Sequence, residues 1–285
     1  MKPLSGRKKR MYNMTVVVPI MGGYGESRPF WGCITQMTKG PTDLLVIDNT
    51  GYDEGQEEQI KKYVFPFWKG KTSYDKMDTN LGMIQSMQYA YEKERADKNR
   101  VLAFVHNDLY IYEPDWDNLV KEFMRDDVGV VGFFGGEGAY PGGGRLYNWS
   151  NMMDAEAHGG RYSGGFKEVA VLDGMTLMTN IKMLDVRDGF DQNYDVHHMY
   201  DTDICLESLD RGFKNYSMGI PIHHQGGLTA CRGDFQEWAN RYMKVDNGGE
   251  QLIYNKNRAL LEKKWNHRLP YHVTQKPYFG NKAGG

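Results

Sequence analysis

The chain has 285 residues, enough for one large α/β domain or two small ones, and its hydrophobic content of 40% and charged content of 25% are typical of a globular protein. A net charge of −2 disfavours a purely electrostatic nucleic-acid binder, and three widely spaced cysteines without a CxxC pair predict neither a disulfide framework nor a zinc ribbon. Because no apolar run approaches the roughly 18 residues of a membrane span and no signal-peptide core follows the basic tail 1–13, we expect a cytoplasmic protein.

Apolar runs alternate with helix-length segments in the first half of the chain. The runs predict buried strands and the segments between them predict helices: strands at 14–20, 42–50, 101–105 and 128–134, and helices at 29–37, 57–68, 80–96 and 115–126. This alternation indicates a parallel sheet that is covered on both faces. In such sheets ligands bind beyond the carboxyl ends of the strands, and Asp48 and Asp108 both fall at such ends.

The second half of the chain has a less regular pattern. It predicts a strand, a turn and the start of a helix over 168–184, a helix at 200–213, a strand at 215–227 and an amphipathic helix at 250–265. Clustered glycines predict a long mobile loop within 135–165. Because there is neither an internal repeat nor a clean boundary, we expect one domain over 14–285.

Acidic and imidazole side chains recur where the predicted elements begin or end. They are Asp48, His106, Asp108, Asp173, Asp201, Asp203, His223 and His224. A divalent cation that carries a diphosphate needs one or two carboxylates and sometimes an imidazole, since phosphate oxygens and water fill the other positions. Asp108 with His223 or His224 suffices for such a site. Taken singly, each of these residues is explained as well by a role in a cap or a turn.

The stretch "MYDTDICLESL" places two acids at a predicted helix start. The apolar spacing begins the helix near Thr202, so Asp201 lies at or near the N-cap and Asp203 in the first turn. Capping and the helix dipole explain both acids without catalysis, and a general base at the mouth of a cleft is the rival interpretation. The histidine pairs at 197–198 and 223–224 have neither HExxH nor zinc-finger spacing, so they are a weak zinc signal.

Four stretches together resemble glycosyltransferases of the GT-A fold, and most closely the inverting family 2 and its glycosyltransferase-like relatives. They are "TVVVPI", "LLVIDNTGYD", "NLGMIQSMQYAYEKERADKNRVLAFVHNDLYI" and "GFDQNYDVHHMYDTDICLESLDRGFKNYSMGIPIHHQGG". The resemblance implies a Rossmann-like α/β/α sandwich with a mixed, mainly parallel sheet. It also implies a nucleotide-sugar-binding half at 14–134 and an acceptor-binding half at 135–285.

On the donor side the resemblance assigns residues position by position. It implies that Pro19 and the loop after it border the nucleotide, and that Asp48 contacts the base or the ribose. Asn80 and Gly82 match the "N-x-G" that opens the helix beside the nucleotide sugar. Asp173 matches the strand end that lines the donor sugar or the acceptor pocket.

The resemblance also implies a metal site and places it at "HND". Asn107 and Asp108 belong to the family's Asp-x-Asp position, whose last acid binds the metal that bridges the two phosphates. His224, in a match to "H-x-G-G-x-T", is implied as a further ligand, with His223 as the adjacent candidate. His106 departs from the pattern, because it replaces the first acid and leaves the metal with one fewer carboxylate.

For catalysis and for the acceptor, the resemblance places Asp201 on the catalytic base and Asp203 on the second acid, which we expect to face the acceptor. Tyr200 stands where the family usually has Glu. We expect the glycine-rich segment to close over the donor and to shape the acceptor site through Arg145, Tyr147, Trp149 and Arg161.

The implied function is transfer of a sugar from a nucleoside-diphosphate sugar to an acceptor hydroxyl, inverting and assisted by Mn²⁺ or Mg²⁺. A saccharide of a surface polymer is the expected acceptor, and a hydroxymethylated base in phage DNA, met by the basic N-terminus, is the alternative. A non-catalytic sugar-nucleotide or glycan-binding module and a metal-dependent hydrolase that uses the histidine pairs are the alternatives from other classes.

Overall fold

The structure is a computed structural model, and it describes residues 11–49, 55–151, 164–226 and 233–274. Most of the basic tail and Arg161 lie outside these ranges. The strands are β1 (Asn13–Ile20), β2 (Asp43–Asp48), β3 (Thr72–Lys76), β4 (Arg100–Val105), β5 (Leu109–Ile111), β6 (Val128–Gly132), β7 (Phe134–Tyr140), β8 (Gly144–Ser150), β9 (Phe166–Val169), β10 (Val171–Leu172), β11 (Thr176–Asn180), β12 (Lys214–Met218), β13 (Ile222–His224) and β14 (Tyr271–His272).

Helices lie around the sheets that these strands form. They are α1 (Tyr24–Met37), α2 (Gln56–Tyr63), α3 (Gly82–Glu94), α4 (Trp116–Phe123), α5 (Ile181–Asp185), α6 (Tyr200–Asp210), α7 (Gly233–Met243) and α8 (Gly249–Trp265). Two apolar clusters of buried side chains lie against the β-branched strands. Among the described residues, no helix is both long enough and apolar enough to cross a membrane.

The central sheet has eight strands in the order β3-β2-β1-β4-β11-β6-β12-β9. β1 pairs in parallel with β2 and β4, and β11 runs antiparallel between β4 and β6. The predicted mixed, mainly parallel α/β sheet is therefore confirmed. The edge strand β3 escaped prediction because its sequence, TSYDK, is polar and none of its residues is fully buried.

The prediction of a mobile loop at 135–165 is wrong for its described part. β7 and β8 form an antiparallel hairpin over 134–150, and β7 also pairs with β10 and β14. Glycine allows this close approach, since a Cβ on Gly135 would lie 2.5 Å from the carbonyl oxygen of Val171. The glycines that suggested mobility are therefore positions where two backbones pack together.

A buried ion-pair network joins α6 to α8 and is centred on Asp203. Its carboxylate accepts hydrogen bonds from Arg187, Tyr194 and Trp265 at 3.2, 3.2 and 2.8 Å, and the Lys264 ammonium lies 2.8 Å away. The side chain of Asp203 is 2% exposed. This network fixes the start of α6 against the C-terminal helix.

We expect Asp203→Ala to lower the free energy of unfolding by about 3–5 kcal/mol, because it leaves the buried Arg187 guanidinium without its carboxylate. Urea denaturation measures the loss. Asp127→Ala is the matched control, since Asp127 pairs with Arg125 in solvent, and we expect a change within about 1 kcal/mol. Unchanged stability with lost turnover would instead assign Asp203 to the reaction.

Candidate active site

The carboxyl ends of β1, β2 and β4 open onto a cavity of about 540 Å³. The first turns of α3 and α6, the turn between β10 and β11 and the tip of the β7–β8 hairpin complete its wall. Nine of the predicted site residues line it: Pro19, Asn80, Gly82, Asn107, Asp108, Arg145, Asp173, Asp201 and His224. The structure thus brings together residues that are up to 205 positions apart in the chain.

One corner of the cavity combines two imidazoles with a carboxylate. The short strands β5 and β13 pair antiparallel with His224 opposite Leu109, which places His224 beside Asp108. The backbone N–H of His106 donates to the carbonyl of Met175 and holds the end of β4 in place. One ligating atom each of His106, Asp108 and His224 lies within 4.8 Å of the other two.

These three ligating groups fit a divalent cation. His224 Nε2 and Asp108 Oδ1 lie 3.2 Å apart without hydrogen-bond geometry. Both atoms and His106 Nε2 are buried, and within the described ranges none of the three has a hydrogen-bond partner. Asp108 and His224 form an ion pair, but burying such atoms without hydrogen bonds costs free energy, and a shared cation would remove that cost.

The ionisation states of Asp108 and His106 favour a cation, whereas the His224 imidazole must give up its proton to bind one. Burial opposes ionisation of Asp108, but the neighbouring imidazoles lower the net pKa of its carboxyl group. Burial lowers the pKa of His106, so its imidazole is neutral and can act as a ligand. For His224 burial acts in the same direction, but the Asp108 carboxylate outweighs it and raises the pKa.

A second group of charges lies around the first turn of α6. Arg145 Nη1 lies 2.9 Å from Asp173 Oδ2, and the backbone N–H groups of Gly174 and Thr202 donate to Asp201. Burial favours the neutral form of both acids. The charge of Arg145 nevertheless lowers the pKa of Asp173, whereas burial and the charge of Asp173 raise the pKa of Asp201.

Two neighbouring carboxyl groups with opposite pKa shifts are a common arrangement for acid–base chemistry, because one stays ionised while the other can exchange a proton. The helix begins at Tyr200 rather than near Thr202, so Asp201 is the second helical residue and not the cap. The backbone donors hold its carboxylate at the cavity wall.

The segment just before α6 has a strained backbone. Val196, His198 and Met199 have φ angles of 47°, 73° and 64°, in the left-handed region that non-glycine residues rarely adopt. The carbonyl of Val196 accepts hydrogen bonds from Met83 N at 2.7 Å and from Ile84 N at 3.2 Å, so it caps the start of α3.

Five predicted site residues of the described ranges lie outside the cavity lining. Tyr147 is exposed, and its ring lies edge-on to that of His272. Asp48 is buried beneath it and accepts a hydrogen bond from Tyr74, and Asp203 belongs to the ion-pair network described above. The Trp149 indole donates to Glu137, on the neighbouring strand of the hairpin. His223 points away from Asp108 because adjacent strand residues face opposite sides, and its ring lies against Tyr110.

Other residues of the lining were not assigned to the site from the sequence. Asn49 follows Asp48 and faces the cavity in its place, donating to Ser86 Oγ and accepting from Leu81 N. His197 and His198 line the cavity, although the sequence offered them only as a weak zinc signal. Phe235 of α7 also lines it, and no motif in the sequence marked that helix.

The fold, with the cavity at the carboxyl edge of its parallel strands, is of the GT-A class. The sequence pattern of the Glycosyltransferase like family matches residues 72–231, which is more than half of the chain. The chain therefore belongs to this family, and the resemblance inferred from its motifs is confirmed. No curated protein sequence matches it.

Solved structures with low sequence identity share the fold. GalNAc-T7 with UDP, GalNAc and Mn²⁺ aligns with a TM-score of 0.59 at 12% identity over 76% of this chain, which spans only 44% of that one. The mannosyltransferase PcManGT from Pyrobaculum calidifontis, in complex with GDP-Man and Mn²⁺, aligns with a TM-score of 0.54 at 11% identity. The alignment covers 90% of this chain and 71% of PcManGT. TarS 1-349 of S. aureus, in complex with UDP-GlcNAc, aligns with a TM-score of 0.54 at 14% identity. The alignment covers 93% of this chain and 78% of the TarS chain.

We expect Gly82→Ala to destabilise the protein by at least about 1–2 kcal/mol, because Gly82 has φ +69° and a Cβ would lie 2.8 Å from Val196 Cα. Chemical denaturation measures the effect. Gly32→Ala in α1, where a Cβ meets no atom within 4 Å, is the control and should leave stability equal or slightly higher. Equal stability of the two variants would contradict the tight contact between α3 and Val196.

Proposed function

We propose that the protein transfers a sugar from a nucleoside-diphosphate donor to an acceptor hydroxyl, with inversion at the anomeric carbon. One observation carries the proposal. The metal-type corner at Asp108 and a partly buried carboxyl group with a raised pKa, Asp201, line the same cavity. One pocket can therefore hold both the departing diphosphate, next to the cation corner, and the attacking hydroxyl, next to Asp201.

The donor half of the proposal rests on the corner at the end of β4. His106, Asp108 and His224 would hold Mn²⁺ or Mg²⁺, with diphosphate oxygens completing its coordination. A bound cation of this kind offsets the negative charge that develops on the leaving diphosphate. The similar structures that contain UDP, GDP-Man or UDP-GlcNAc, two of them with Mn²⁺, support this type of donor.

Other lining residues would orient the donor. Pro19, Asn80 and Gly82 border the side of the cavity that lies over β1 and α3. The Nδ2 of Asn107 offers a neutral donor for phosphate or sugar oxygens. Asn49 takes the place that the sequence assigned to Asp48, since it is the residue of this pair that lines the cavity.

Asp201 would act as the general base. The acceptor oxygen forms a bond to the anomeric carbon, the bond from that carbon to the phosphate oxygen breaks, and the hydroxyl proton passes to Asp201. Backbone N–H groups fix the carboxylate from one side, so its remaining lone pairs can face the acceptor. Arg145 keeps Asp173 ionised beside it, and the Asp173 charge increases the basicity of Asp201.

For the acceptor we propose a saccharide hydroxyl. The net charge of −2 and the acidic cavity oppose binding of a polyanionic duplex. Trial acceptors of both kinds test this choice: oligosaccharides, hydroxymethylated duplex DNA and plain duplex DNA, each with labelled donor sugars. Transfer to the modified duplex alone, with salt-sensitive binding, would replace the saccharide with DNA.

We expect Asp201→Asn to lower kcat by about 10²–10⁴-fold with little change in donor affinity, because the amide cannot take the proton. In the unmodified protein turnover should fall as the pH drops through the pKa of Asp201, which lies above the ordinary carboxyl value, and the variant should lack this acid limb. Steady-state rates against pH measure both effects. Asp127→Asn is the exposed control, and an unchanged pH profile in Asp201→Asn would exclude Asp201 as the base.

We also expect Mn²⁺ and one nucleotide sugar, added together, to raise the melting temperature of the protein. In Asp108→Asn most of this increase should be lost. The Asp108 carboxylate is the anionic member of these three ligands, so its loss weakens binding of the cation and, with it, binding of the diphosphate. A thermal-shift screen of nucleotide sugars with and without Mn²⁺ measures the rise. No shift with any nucleotide would contradict the proposed donor site.

A further inference from the structure

A second cluster of ligating side chains is formed by two histidines of the cavity wall and a glutamate of α8. His198 Nε2 is 2.7 Å from Glu250 Oε1, and His197 Nε2 is 3.8 Å from the same oxygen. The ligating atoms of the three residues all lie within 4.8 Å of one another. We propose that His197, His198 and Glu250 bind a divalent transition cation of the zinc type, at a site separate from the corner around Asp108.

The backbone brings the two histidines onto the same side. In an extended chain, neighbouring side chains point in opposite directions. Here the left-handed conformation of His198, with Val196 and Met199 on either side in the same region, folds the segment so that the two imidazole centroids lie 3.9 Å apart. Strained backbone of this kind concentrates at functional sites.

Helix α8 both supplies the third ligand and fixes the segment. Glu250 lies in its first turn, and Asn257 lies seven residues further along, on the same helical face. Asn257 Nδ2 donates to the carbonyls of Asp195, His197 and His198 at 2.7, 2.6 and 3.3 Å. The backbone that carries the two histidines is therefore held against α8 by contacts that do not depend on a bound ion.

The ligand types indicate which cation the cluster would take. Two imidazoles and one glutamate are a common protein ligand set for zinc with an open fourth position. Imidazole-rich sets favour zinc, nickel and copper over magnesium and calcium. Because both histidines line the cavity, the open position would face it and could be filled by water or by an oxygen of a bound substrate.

Titration with Co²⁺ and with Zn²⁺ tests the site, using the 285-residue chain after metal removal and without nucleotide. The Asp108→Asn background weakens the other corner. In this background we expect one equivalent of Zn²⁺ to bind by calorimetry, with the visible absorption of tetrahedral Co²⁺. Adding Glu250→Gln or His198→Gln should weaken binding at least 10-fold, since each variant removes a direct ligand.

Glu262→Gln, on the same helix and paired in solvent with Arg258, is the matched control and should leave Zn²⁺ binding unchanged. Melting curves without metal verify that each variant folds. Zn²⁺ affinity that is the same with and without Glu250→Gln and His198→Gln would overturn the proposal, and so would absence of binding in Asp108→Asn alone. Either result would mean that His198 and Glu250 form only a hydrogen-bonded pair. Sugar transfer does not enter this measurement, so the site can fail while the proposed function stands.

Discussion

The cavity depends on the short strained segment that precedes α6. Its carbonyl at Val196 caps α3, an approach that Gly82 permits because it has no side chain, and Asn257 holds the carbonyls that follow. This double attachment fixes where α6 starts and hence where Asp201 stands. The free-energy cost of left-handed φ angles is met by packing and hydrogen bonds on both sides. The active-site wall is thus pre-organised before any ligand arrives.

Among the described residues of the cavity, the charges are arranged unequally around the guanidinium of Arg145. Arg145 contacts Asp173 directly and lowers the pKa of that carboxyl group, while Asp201 lies beside the same pair and has its pKa raised. Two chemically identical side chains thereby differ in pKa through their position alone. Asp108 has its pKa lowered by the neighbouring imidazoles of His106 and His224, and the same imidazoles also lower the pKa of Asp173.

The sequence predicted the sheet well because β-branched apolar runs are a local signal, and it placed Asp108 and Asp201 correctly at the ends of elements. It could not separate His223 from His224, since that choice depends on the pairing of β5 with β13, which are distant in sequence. Asp203 has the same local appearance as Asp201, and only long-range contacts reveal its burial. Glycines at 135–145 suggested mobility because sequence alone does not show which backbones they allow to approach.

The antiparallel strand β11, inserted between β4 and β6, has a consequence for how such a site can change. Because β11 is antiparallel, its first residue, which follows the turn at Asp173, lies at the edge of the sheet where the parallel strands end. The cavity is therefore lined both by loops that leave the parallel strands and by the turn that enters the antiparallel strand β11. A lengthened entry turn would reshape the floor of the pocket while the loops after β1, β2 and β4 keep their lengths, so substrate preference could evolve on one side independently of the other.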